Sequence, residues 1–185
     1  MTRLALYGRP GVGKSTFTSL LAEALTERGR VVVTLKVGAL LYRLQESVYV
    51  ESGLPAPPPG RQDGQLLNTL GAHVRRINPT ALVDDFALQV KRAMAASPNA
   101  VILCDDVRAP DVDALHVLGF SFVQVVAPES LRRVRKASRG DLSPGDENHA
   151  TEAEPGIVPD HRIGNAGTLS DLRDRAGVFA EAVIR

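Results

Sequence analysis

"GRPGVGKST", Gly8 to Thr16, follows the short apolar run Leu4-Ala5-Leu6-Tyr7 and decides the architecture. The pattern is G-x-x-x-x-G-K-[ST], set between a strand and a helix. A glycine-rich turn there lets successive backbone N–H groups converge on a phosphate chain, and the dipole of the following helix favours the same negative charge. Lys14 then reaches the β- and γ-phosphates, and the Ser15 hydroxyl is placed to coordinate Mg²⁺. Gly8, Gly11, Val12, Gly13, Lys14, Ser15 and Thr16 are the expected nucleoside triphosphate contacts.

Outward from this loop, the sequence alternates strands with helices. Leu4 to Tyr7 predicts a buried strand and Lys14 to Arg28 a helix stopped by Gly29. Val31 to Leu35 is a β-branched strand, and Ala39 to Ser52 has helical spacing with Leu40, Leu41, Leu44 and Val48 on one face. Pro55 to Gly60 reads as an extended loop, and Gln65 to Val74 as a helix. Asn78-Pro79 predicts the cap and first turn of a helix running from Thr80 to Ala96. Ala100 to Cys104, entirely apolar, predicts a central parallel strand. Strands from Ser121 to Ala127 and His161 to Gly164, a basic helix from Pro128 to Ser138, and a terminal helix capped by Thr168 and Asp171 complete the series. The expectation is a three-layer α/β fold with a parallel sheet of about five strands and helices on both faces.

Composition bounds the function. A chain of 185 residues with 44% hydrophobic residues suits one domain with a full core. The net charge of +1 argues against coating nucleic acid or anionic membrane through bulk charge. Cys104 is the only cysteine, which predicts no intrachain disulfide and a reducing, cytoplasmic setting. No stretch has the length of a signal peptide or a bilayer span.

Three further constellations carry chemistry. Asp105-Asp106-Val107-Arg108 follows the strongest strand, where ligands of open α/β sheets gather. A carboxylate there holds Mg²⁺ waters or orients an attacking oxygen, and an arginine grips a phosphate. Arg132, Arg135 and Arg139 share one helical face, suited to a triphosphate whose charge spreads during transfer. Arg75 and Arg76 close another helix and can bind a second anion. The polar stretch from Arg139 to Pro159 reads as a lid folding over substrate, bringing His149 and Glu152 with it. With Glu154, these two lack the spacing of a metal site.

Together these segments resemble the P-loop nucleoside and nucleotide kinases, most closely the deoxynucleoside monophosphate kinases of bacteriophages. The resemblance runs through the P-loop, "LLNTLGAHVRRINP", "CDDVRAPDVDALHVLGF", "RRVRKASRGD" with "ENHATEAE", and "PDHRIGNAGTLSDL". It implies an ATP- and Mg²⁺-dependent transfer to a (deoxy)nucleoside monophosphate. The implied catalytic groups are Lys14, Arg132, Arg135, Arg139 and Asp106, with Ser15 and Asp105 at the metal. Arg75 or Arg76, with Arg108, would hold the acceptor monophosphate, and Lys36, Asp105, Asp106, His149 and Glu152 complete that side. Asn165 and Gly167 would lie near the adenine. The asparagine–glutamate pair many members carry after "DVR" is replaced here by Pro110-Asp111 to Asp113.

One kinase domain over residues 1–185 is expected, with an acceptor-binding region at about 38–80 and a lid at about 132–159. Its partners would be nucleotides, with no nucleic acid or membrane, and the chain a monomer or homodimer. The alternatives are a P-loop kinase for a nucleoside or coenzyme precursor, or a nucleotide-dependent switch. The switch lacks the guanine-reading [NT]-K-x-D motif.

Overall fold

The computed structural model describes residues 2–58, 61–137, 142–143 and 155–184. Five parallel strands form the sheet: β1 (Arg3–Tyr7), β2 (Val32–Leu35), β3 (Val101–Cys104), β4 (Ser121–Val126) and β5 (His161–Gly164), in the order β2-β3-β1-β4-β5. β1 is central, with Leu4 beside Leu103 on one edge and Ser121 on the other. The helices are α1 (Lys14–Glu27), α2 (Ala39–Glu51), α3 (Gly64–Ile77), α4 (Ala81–Ala96), α5 (Val112–Val117), α6 (Glu129–Ala137) and α7 (Leu169–Val183).

Side chains of a strand alternate faces, so the buried strands divide their residues between two cores. Leu4, Leu6, Val101, Leu103, Val123 and Val125 pack with α1 and α7 on one face. Ala5, Tyr7, Ile102, Cys104 and Phe122 pack with α4 and α5 on the other. This is the expected three-layer α/β fold. On the second face Phe86 of α4 is fully buried, its ring centroid 5.5 Å from that of Phe120. Phe86→Ala is expected to cost about 3–5 kcal/mol, measured by denaturant melts, through lost burial and an unfilled cavity. A loss below about 1 kcal/mol would show that this core collapses around the gap.

Two local readings shift. The start of α4 moves from Asn78-Pro79 to Thr80, because Asn78 Oδ1 accepts from the Thr80 amide (3.2 Å) and hydroxyl (3.1 Å) instead of capping the helix itself. A short helical turn, Ala109–Asp111, leads into α5, a helix that the sequence pattern did not separate from the motif around it. Among the described residues, no helix is long and apolar enough to cross a membrane.

Candidate active site

The Gly8–Thr16 loop emerges from the C-terminal end of the central strand, flanked by the ends of β3 and β4. The first turn of α1 has no side-chain cap and no acidic residue, and its N-cap is Gly13. Its leading amides are therefore presented to an anion. Gly11 is needed twice over. Its φ is 81°, and a Cβ built there would lie 2.6 Å from the Arg132 carbonyl oxygen. The loop thus sits directly against the backbone of the arginine helix, α6. Val12 is buried beneath the loop, and Ser15 and Thr16 are exposed on the first turn of α1. Lys14 Nζ donates to the Gly8 carbonyl at 2.7 Å and lies 3.4 Å from that of Arg9.

Asp105, the residue after β3, is 5% exposed and faces this loop. Its carboxylate accepts from Lys36 Nζ at 2.8 Å and from the Ser15 hydroxyl. Burial pushes the Asp105 carboxyl up, but Lys36, Ser15 and Lys14 together prevail and hold it below the usual range. Burial likewise opposes the Lys36 charge, and Asp105 and Asp106 overcome it, so the ammonium titrates above the ordinary lysine range. Ser15 and Asp105 form a hard-oxygen pair beside the phosphate loop and fit Mg²⁺, which keeps several waters and relies largely on substrate phosphates. Among the described residues, no group of three or more His, Cys, Asp or Glu is assembled as a metal site.

The Lys36–Asp105 pair has a pH signature. The depressed Asp105 carboxyl contributes stability above its unfolded value, roughly pH 4, and that contribution fades as pH falls through the folded value. The raised Lys36 contributes fully below its unfolded value, near pH 10.4, and fades only above it. Lys36→Met should therefore be destabilising at pH 7, with the gap to the parent narrowing in melts below about pH 4. A gap that stays constant from pH 7 to pH 3 would show that the pair carries no net coupling.

Asp106, expected among the catalytic groups, is tied to the backbone of the turn before α2. Both its oxygens are engaged by backbone amides, Val37 N–H and Gly38 N–H, each at 2.9 Å. It fixes the turn before α2 that presents Lys36, so it positions that lysine, and Asp105 is the carboxylate facing the loop. Tyr42 lies within the electrostatic reach of Lys36, Asp105, Asp106 and Arg108, and its hydroxyl accepts from Gln62 Nε2 at 2.6 Å. Sequence reasoning missed Tyr42. Helical spacing identified its helix but not which side chain turns toward the end of β3.

The acceptor-side arginines separate. Arg75 pairs with Asp111 at 2.6 Å, and the other oxygen of this 2%-exposed carboxylate accepts the Arg108 N–H at 3.1 Å. Arg76 is exposed at the end of α3. Asp111, also missed by sequence reasoning, joins the Arg75 side chain to the backbone of Arg108. On α6, Arg132 is buried and its Nε donates to the Pro10 carbonyl at 2.9 Å, while an Arg135 N–H donates to the Asn165 carbonyl at 3.1 Å. Both arginines reach the loop and its supports. Asn165, expected near the adenine, is instead buried against the loop, its side-chain amide donating to the Val12 carbonyl at 2.8 Å. Gly167 packs on the capping box of α7, where a Cβ would lie 2.3 Å from Asp171 Oδ2. Arg139, His149 and Glu152 lie outside the described residues. Of the polar stretch from 139 to 159, expected as a lid, residues 142–143 and 155–159 are described; Leu142 N–H donates to Gln62 O (2.9 Å) and Gly64 N–H to Ser143 O (3.1 Å), at the start of α3.

No protein-family model matches the chain, and no curated protein matches it in sequence. Solved structures do match in fold. A sugar kinase from Janibacter sp. aligns at 15% identity over 100% of this chain and 94% of that one, with a TM-score of 0.57. The APS kinase of Mycobacterium tuberculosis, in complex with AMPPNP and APS, aligns at 14% identity over 98% and 97%, with a TM-score of 0.56. A shikimate kinase from Acinetobacter baumannii, in complex with shikimate, aligns at 16% identity over 100% and 93%, with a TM-score of 0.52. The likeness is one of fold. None of the three is a deoxynucleoside monophosphate kinase, and the match extends to the shared fold alone.

Proposed function

We propose that this chain is an ATP- and Mg²⁺-dependent phosphotransferase whose acceptor is a (deoxy)nucleoside monophosphate. The observation that carries the transferase reading is the meeting of Ser15, Asp105 and Lys36 beside the uncapped first turn of α1. The loop amides and Lys14 bind the triphosphate and orient its terminal phosphorus. Ser15 and Asp105 would hold Mg²⁺, which when bound supplies a Lewis acid that draws charge from the phosphate oxygens. Transfer brings two anions together, and their repulsion is cancelled by cations already in place. Lys36, paired with Asp105, adds a further cation to this set. The acceptor assignment rests on Arg75 and the Asp105-Asp106-Val107-Arg108 segment, whose guanidinium groups suit a monophosphate. Asp111 links the Arg75 side chain to the Arg108 backbone.

A second reading, transfer to an alcohol, is favoured by the fold match to sugar and shikimate kinases. The two differ in the bond formed. ATP consumption should be measured against all common ribo- and deoxynucleoside monophosphates and against sugar and shikimate acceptors, with products read by phosphorus-31 resonance. A new phosphoanhydride with one or more monophosphates is expected. Phosphate esters formed only from alcohols would replace the acceptor assignment, and no ATP consumption with any acceptor would overturn the transferase reading.

A further inference from the structure

Each peptide unit of the phosphate loop has its C=O and the next N–H pointing in opposite directions, because the bond is trans and planar. Whatever fastens a loop carbonyl outward therefore aims the following amide inward. Two carbonyls are fastened in this way. Arg132 Nε donates to Pro10 O at 2.9 Å, and Asn165 Nδ2 donates to Val12 O at 2.8 Å. The amides that follow belong to Gly11 and Gly13, two of the loop's three glycines.

Asn165 is itself held on several sides. Its backbone N–H donates to Val126 O at 2.7 Å, anchoring it to the end of β4. Its carbonyl accepts from Arg135 at 3.1 Å, and its side-chain oxygen lies 3.4 Å from the same guanidinium. The residue is 5% exposed, and its amide nitrogen fills the space where a Gly13 Cβ would sit, 2.3 Å away. Gly13, at φ 93°, accommodates this approach because it has no side chain.

We infer that Asn165 is a positioning residue of the phosphate loop: its side-chain amide fixes the Val12 carbonyl so that the Gly13 N–H faces the triphosphate. Arg135 steadies Asn165, and Arg132 does the same for Gly11 through Pro10. The basic helix α6 thus serves the loop through its backbone as well as supplying charge. This rests on the phosphate-site reading of Gly8 to Thr16 and adds the residue that sets the loop's geometry.

The discriminating ligand is inorganic tripolyphosphate, which has phosphates and no base. If Asn165 acts through the loop, Asn165→Leu, which keeps the volume and removes the donor, weakens tripolyphosphate and ATP by similar factors. Leaving the buried Val12 carbonyl without its donor predicts roughly tenfold or more for both, measured by calorimetry. If Asn165 met the adenine, ATP alone would weaken, and that result overturns the inference. In the parent, the Asn165 side-chain amide protons should shift equally with tripolyphosphate and with ATP in ¹H–¹⁵N spectra. This second measurement decides the matter even where the variant fails to fold, since a shift with ATP alone also overturns it. A parent that binds neither ligand removes the phosphate-site reading and the inference together, whereas a parent that binds both while the variant is unchanged removes only the role of Asn165.

Discussion

Lys14→Ala is expected to lower turnover by roughly 10²–10³-fold, by comparison with other preorganised charge stabilisers, and to melt close to the parent. The ammonium is partly exposed at the loop-to-helix junction and donates to the Gly8 carbonyl at 2.7 Å. It contributes little packing, so its loss leaves both cores intact. In the presence of a triphosphate, the same charge meets oxygens whose negative charge grows as the phosphoryl group moves, where it lowers the barrier most. Turnover by coupled assay and thermal melting of both proteins check this. Full activity in a variant that melts like the parent would overturn the phosphate-loop assignment.

Asp105→Asn is expected to cost a comparable factor, on the order of 10²–10³ in kcat, and to raise the Mg²⁺ concentration needed for half-maximal rate. Asparagine keeps the shape and can still accept from Ser15, so the change is chiefly one of charge. It leaves Lys36 beside a neutral partner, and under the proposed function it would remove the anionic ligand of Mg²⁺. A purely structural carboxylate would lower stability without moving the Mg²⁺ dependence. A parental Mg²⁺ titration with parental turnover would therefore remove Asp105 from the metal site.

The fold was legible because its signals are local. The loop motif, the fully apolar Val101–Cys104 strand and the Thr168–Asp171 capping box each specify structure within a few residues. The placement of candidate residues was legible where they sit inside such motifs: Lys14 and Ser15 begin α1, and Asp105 follows β3. It was not legible where a role depends on distant pairing. Asn165 and Val12 are 153 residues apart, and Arg75 and Asp111 are 36 apart. Nothing in the spacing of either partner announces the other. Asp105 and Asp106 illustrate the same limit at closest range. Two adjacent carboxylates look alike in sequence, but after a strand they turn to opposite sides, one to the loop and one to the amides of Val37 and Gly38.

The central position of β1 bears on how the chain acquires its shape. β1 ends at Tyr7, yet its two partners are the strands beginning at Val101 and Ser121. Closing segments of that length costs entropy before any pairing rewards it, so this topology belongs with the slower-folding, high-contact-order domains. During synthesis at roughly 5–20 residues per second, the apolar segment Leu4 to Tyr7 waits several seconds before β3 and β4 leave the ribosome. The strand that carries the phosphate loop is thus made well before both of its partners and is sheltered only once they emerge. In that interval its apolar side chains are open to chaperones or to misplaced pairing.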